Sequence, residues 1–193
     1  VLTGLTAPVY AITMCATSRI VALSLGLEVH LVKAHNSTYV TFKILPRPTI
    51  SCQVDDVRDN HIHATALQFL QGDRRLIVSY VNHGVVCWDI KTDTQLWDVH
   101  QEDYYTWVVI RCSSGHFALS PDRLRIAISN FNHGIQLYHL GESQPLSIIP
   151  VSIPVDLNYI MSVVFLENSQ VIASGSLVGE VKLWKANTGE CLR

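Results

Sequence analysis

Hydrophobic positions in this chain come in short bursts separated by polar turns. LIVSY (76–80), VVCWDI (85–90), IAISN (126–130), IQLYHL (135–140) and VIASGS (171–176) are rich in β-branched residues and too short for helices. Turn-forming groups such as Gln71-Gly72-Asp73 and Pro121-Asp122-Arg123 precede them. Short apolar runs bounded by Gly, Asp, Asn and Pro read as buried strands. No segment carries a sustained helical period with caps, so the pattern predicts an all-β chain.

The bursts repeat. Phe69 to Trp88 aligns without a gap on Leu119 to Tyr138, at an offset of 50 residues. Arg75, Ser79, Asn82, His83 and Gly84 fall on Arg125, Ser129, Asn132, His133 and Gly134. Phe165 to Trp184 is a third copy and Thr13 to Val32 a fourth, weaker one. In every copy the two anchor positions stand 19 residues apart, while the connectors vary. Fixed internal spacing with variable connectors marks a structural repeat. Each copy reads as three strands, with the Asn-His-Gly turns supplying residues that tolerate positive φ between the second and third. A further strand fits each connector: YVTFKI (39–44), TQLWDV (94–99) and PLSIIPV (145–151).

These motifs resemble the WD40 repeat family. Leu119-Ser120-Pro121-Asp122, Ile172-Ala173-Ser174-Gly175-Ser176, Val181-Lys182-Leu183-Trp184 and Cys87-Trp88-Asp89 match successive parts of that family's pattern. Ala186 to Leu192 is similar to its turn into the outermost strand, and Leu2 to Ile12 to the entry of a repeat. The resemblance covers essentially the whole chain. It implies a WD40-type β-propeller of about four blades of four-stranded antiparallel sheet, over residues 4–44, 60–99, 107–151 and 159–193.

The departures from that pattern are specific. Only Trp88-Asp89 keeps the signature dipeptide at a repeat end, and Val32 stands where the first repeat's aromatic belongs. The turn Asp of the family is replaced by Asn82, Asn132, Val178 and Gly26. The family's Asp-His-Ser-Trp hydrogen-bond network is therefore expected to be largely missing, with apolar packing holding the blades. Cys191-Leu192-Arg193 reads as the start of an outermost strand and Val1-Leu2-Thr3 as the end of one. The resemblance implies closed rings, usually of about seven blades. A piece of a larger ring is expected, with a four-blade ring closed by residues 1–3 as the alternative.

Composition narrows the function classes. Lys plus Arg is 14 and Asp plus Glu is 16 among 193 residues. That balance gives no basic stripe for nucleic acid. Charged residues make up 16 %, against roughly 25 % in an average domain, as many short buried strands require. No apolar run approaches the ~20 residues of a membrane-spanning helix. The five cysteines, Cys15, Cys52, Cys87, Cys112 and Cys191, show no C-x-x-C spacing. An odd, unpatterned set disfavours a disulfide framework or a common zinc site. Reduced thiols are expected, in the cytoplasm or nucleus.

Nine histidines are many for this length. In a propeller, the turns between second and third strands share a rim with the connectors between blades. That rim would carry His83 and His133 at equivalent turn tips, with His61, His63 and His116 near them. His61-Ile62-His63, if extended, points two imidazoles to one side, as metal ligands require; they read equally as turn residues and a remnant of the family's entry histidine. Tyr104, Tyr105 and Trp107 lie in a connector, either as interface anchors or, for Trp107-Val108-Val109-Ile110, as strand packing. The clusters Asp55, Asp56, Asp59 and Glu102-Asp103 read as solvated loop charge. There is no G-x-S-x-G elbow, no phosphate loop and no H-E-x-x-H.

The resemblance implies a non-enzymatic scaffold that binds protein partners, within a larger complex, without a cofactor, nucleic acid or membrane. Its candidate binding rim is His83, His133, His61, His63, Tyr104 and Tyr105. The alternative is a propeller with a histidine-lined metal or catalytic site on that rim.

Overall fold

The computed structural model describes residues 7–35, 38–48, 62–70, 72–81, 83–99, 114–130, 134–151, 161–176 and 178–192. Among them there are fifteen strands and no helix, arranged in four antiparallel sheets. The chain divides at the end of the eighth strand into two compact units, Val1–Asp98 and Val99–Arg193.

The first unit holds two four-stranded sheets in which every strand pairs with its sequence neighbour. One consists of β1 (Val9–Met14), β2 (Ile20–Leu25), β3 (Glu28–His35) and β4 (Thr38–Leu45). The other consists of β5 (Ala64–Leu70), β6 (Arg75–Tyr80), β7 (Gly84–Asp89) and β8 (Thr94–Val99). β5 packs against β1 and β2. Because side chains alternate across a strand, each sheet sends every second residue into the shared core. Ala22, Leu31, Leu76, Val78 and Val86 there are completely buried, with Val29, Tyr80 and Trp88 beside them. Full burial of each large aliphatic residue contributes about 1.5–3 kcal/mol. Two polar ties join the sheets: Ser24 Oγ donates to the Ala64 carbonyl at 2.8 Å, and Lys43 Nζ to the Ile90 carbonyl at 2.7 Å. Lys43 also pairs with Asp93 at 2.8 Å.

The second unit repeats the plan. β9 (Ser114–Leu119), β10 (Arg125–Asn130), β11 (Gly134–His139) and β12 (Pro145–Ile149) form one sheet, and β13 (Val163–Leu166), β14 (Val171–Gly175) and β15 (Val181–Lys185) the other. β13 packs against β9 and β10. The shared core holds Ala127, Ile135, Leu137, Ile149, Phe165, Ile172 and Trp184. Trp184 bridges to Cys191, where the sequence reads an outermost strand beginning. The three connector strands expected from the sequence are present as β4, β8 and β12.

One hydrogen bond recurs at the same place in three sheets. Ile90 N–H donates to the Arg74 carbonyl at 2.9 Å, Leu140 to Leu124 at 2.9 Å, and Ala186 to Gln170 at 2.8 Å. Each donor lies two residues past its anchor (Trp88, Tyr138, Trp184), and each acceptor just before the second strand. The spacing read from the sequence is thus a spacing of backbone geometry.

The anchors have a direction. Trp88 and Trp184, in the second sheet of each unit, pack into the core shared with the first. Val32 lies in a separate cluster with Val21 and Leu23, on the opposite face of its sheet. Tyr138 pairs with Ile126, out of phase with the Ala127–Leu137 pair that enters the core. On the face that carries Val32, Ile12 is 65 % exposed and Met14 59 %.

Candidate functional site

Of the six residues expected on a binding rim, His63 and His83 are described; His61, His133, Tyr104 and Tyr105 lie outside the described residues, as do Trp107 to Ile110, Asp55, Asp56, Asp59 and Glu102-Asp103. His63 and His83 come to the same end of the β5–β8 sheet. Val81 N–H donates to the His63 carbonyl at 3.0 Å, tying the approach to β5 onto the β6–β7 turn.

Their environments differ. The His63 ring stacks on Tyr10 of β1, with centroids 4.5 Å apart. Tyr10 is half-exposed, so this pair forms an aromatic surface at that end of the first unit. His83 is not displayed at a turn tip: it is 5 % exposed. Its ring meets Tyr80 edge to face, with centroids 6.1 Å apart. Gly84 takes a positive φ of 117°, while His83 lies on ordinary backbone with its ring folded in. Nothing in the Asn-His-Gly pattern distinguishes these two outcomes. Tyr10 was missed in the sequence because it lies in the weakest repeat.

His116 serves the backbone. Its Nδ1 accepts from Val163 N–H at 3.3 Å, and burial lowers its pKa, which favours the neutral ring such an acceptor requires. Among the described residues, no group of three or more His, Cys, Asp or Glu is gathered to hold a metal ion.

The two indoles find different hydrogen-bond partners. Trp184 Nε1–H donates to Ser174 Oγ at 3.3 Å. In the second sheet Trp88 Nε1–H instead donates to the Tyr80 hydroxyl at 3.2 Å. Asp89 closes the β7–β8 turn: its carboxylate accepts from Lys91 N–H at 2.9 Å and Thr92 N–H at 3.2 Å. Arg74 Nε–H also donates to it at 2.9 Å. The Arg74 hydrogen bond, helped by the turn amides, holds its pKa down at about 2 despite burial.

A cleft of about 510 Å³ opens in the second unit, at the end of the β9–β12 sheet away from the β10–β11 turn. Leu137, Leu146 and Ala186 give it apolar walls, and Asp122, Arg125, His139, Ser147 and Asn187 polar ones. Arg125 and His139 face each other across β10 and β11. Arg125 donates through Nη1 to Asn187 Oδ1 at 3.0 Å and through Nη2 to the Ser169 carbonyl at 2.8 Å. Asp122 accepts from the Ser120 hydroxyl and from Leu124 N–H at 3.0 Å. These bonds keep its pKa low. The sequence marked Arg125 and Asp122 only as repeat residues; the cleft depends on register and on the approach of Asn187, which no local pattern carries.

A scan against protein-family models finds no match to this chain, and a search of curated proteins finds none either.

Proposed function

We propose that this chain is a non-enzymatic protein-interaction scaffold built from WD40-like repeats, its sheets being blades of a β-propeller in an intracellular protein. The observation that carries the reading is the recurrent backbone hydrogen bond two residues past each anchor in three sheets. A unit repeated at that precision supplies a rigid frame whose turns and connectors are free to vary for binding. The exposed apolar side chains of the first sheet, with Tyr10 stacked on His63, supply surface for a protein partner.

The test is affinity capture with the immobilised chain and a Tyr10→Glu/His63→Glu variant, read by quantitative mass spectrometry. Proteins retained by the parent chain and lost from a variant of unchanged melting temperature support the reading. An identical retained set on both excludes this surface. Turnover by the purified chain of a substrate from a hydrolase panel, absent from a mock preparation, overturns the scaffold reading itself.

A further inference from the structure

We propose that the cleft in the second unit is a binding site for an acidic peptide segment in which a carboxylate side chain neighbours a leucine-sized apolar one. The proposal stands on the second unit alone and does not depend on the scaffold reading.

The guanidinium of Arg125 carries the argument. Its side chain is only 17 % exposed, and the nearest carboxylate oxygen among the described residues, of Asp122, is 3.9 Å from Nη2. That distance is too long for a hydrogen bond. The two bonds it does make go to neutral oxygens, the Asn187 amide and the Ser169 carbonyl. Together with the Phe165 ring, whose centroid is 6.0 Å from the guanidinium carbon, they fix the plane of the fork. A fixed, partly desolvated guanidinium is suited to a planar carboxylate. His139, directly across the ladder, adds a ring N–H on the same wall.

The second observation is Ser147. Ser147 lines the cleft, and its buried hydroxyl makes no hydrogen bond. A buried polar atom without a partner is costly, and rotation of this side chain toward an entering peptide amide or carbonyl would relieve that cost. Leu137 and Ala186 form a buried apolar floor, and Leu146 a half-exposed rim. The volume is within the usual range for ligand pockets, roughly 300–1,000 Å³, and suits two or three residues of extended chain.

Asp122 opposes an anionic ligand, and this yields a discriminating test. Its Oδ1 accepts from Ser120 and Leu124, contacts that an asparagine oxygen also makes. Asp122→Asn therefore removes a negative charge while keeping the turn.

The experiment is fluorescence anisotropy with the full 193-residue chain. The probe is a fluorescein-labelled, N-acetylated hexapeptide of alternating Glu and Leu, with the Lys–Leu counterpart as control. The expected results are saturable binding of the Glu–Leu peptide, a loss of at least about tenfold in Arg125→Gln, and a gain of about twofold or more in Asp122→Asn. Melting temperatures of both variants equal to that of the parent chain separate a lost contact from a folding defect. Leu146→Glu, at a half-exposed position, should also weaken binding. Absence of saturable binding, equal binding of the Lys–Leu peptide, or movement of the Arg125 and Asp122 variants in the same direction overturns the proposal.

Discussion

The indole of Trp88 donates its N–H to the hydroxyl of Tyr80 at 3.2 Å, both side chains being buried in the core of the first unit. Burial pushes the Tyr80 phenol well above its usual pKa, with the indole bond working the other way. The hydroxyl thus stays protonated through any ordinary pH. Tyr80→Phe keeps the shape and removes the acceptor. The expected cost is about 1–3 kcal/mol, the range for a buried donor left unsatisfied. Urea unfolding of the two proteins checks it; a difference near zero would mean that the indole finds another acceptor.

Acid stability should report on Asp89. Its folded pKa, about 2, lies below the ordinary carboxylate value of 3.8. A lowered carboxylate pKa contributes stability that is present above the ordinary value and lost as pH falls through the folded one. Arg74, whose side chain is 67 % exposed, supplies the largest share. Arg74→Ala should therefore start to lose stability at higher pH than the parent chain, while the two converge below pH 2. Thermal melts across pH 2–5 measure the shift.

The two glycines at turns after the first and second strands of a sheet are not equivalent. Gly72 has φ of 75° and open space around its missing side chain. Gly72→Ala should cost about 1–2 kcal/mol, the penalty of left-handed backbone. Gly134 has φ of 88°, and an added Cβ would meet the Ile149 carbonyl oxygen and lie 2.5 Å from Val151 N. Those are backbone atoms of the paired strand and its continuation, so the ladder itself must shift. Gly134→Ala should cost clearly more than Gly72→Ala, as denaturant midpoints would show.

Cys87 and Cys191 should separate by burial. Cys87 is completely buried in β7, and burial pushes its pKa up to about 12. Cys191 is exposed. Iodoacetamide at neutral pH should modify Cys191 in the native protein and reach Cys87 only in denaturant, because the thiolate is the reacting species. Peptide mass mapping at timed intervals distinguishes them, and early labelling of Cys87 would contradict the buried position.

Much of the fold was legible because strands and tight turns are local. The 19-residue spacing, the turns at Gly72 and Gly134, and the connector strands follow from alternation and turn chemistry. The site was less legible. His83 sits in a turn whose composition is the same whether its ring points out or in; the outcome depends on Tyr80, three residues away on the neighbouring strand. Trp88 finds Tyr80 because an aromatic four pairs along the ladder, on the same face, reaches the indole. The cleft required Asn187 to meet Arg125 across 62 residues of sequence, and that meeting is a product of sheet packing.

The placement of the anchors makes each unit directional. Trp88 braces the sheet that precedes it in the chain, and Trp184 does the same. A truncated anchor therefore loosens its N-terminal neighbour together with its own sheet. A lesion at Trp184 should appear as faster amide exchange in β10 and β11 before it appears beyond β15, which gives the repeat a grain along which mechanical and mutational damage travels.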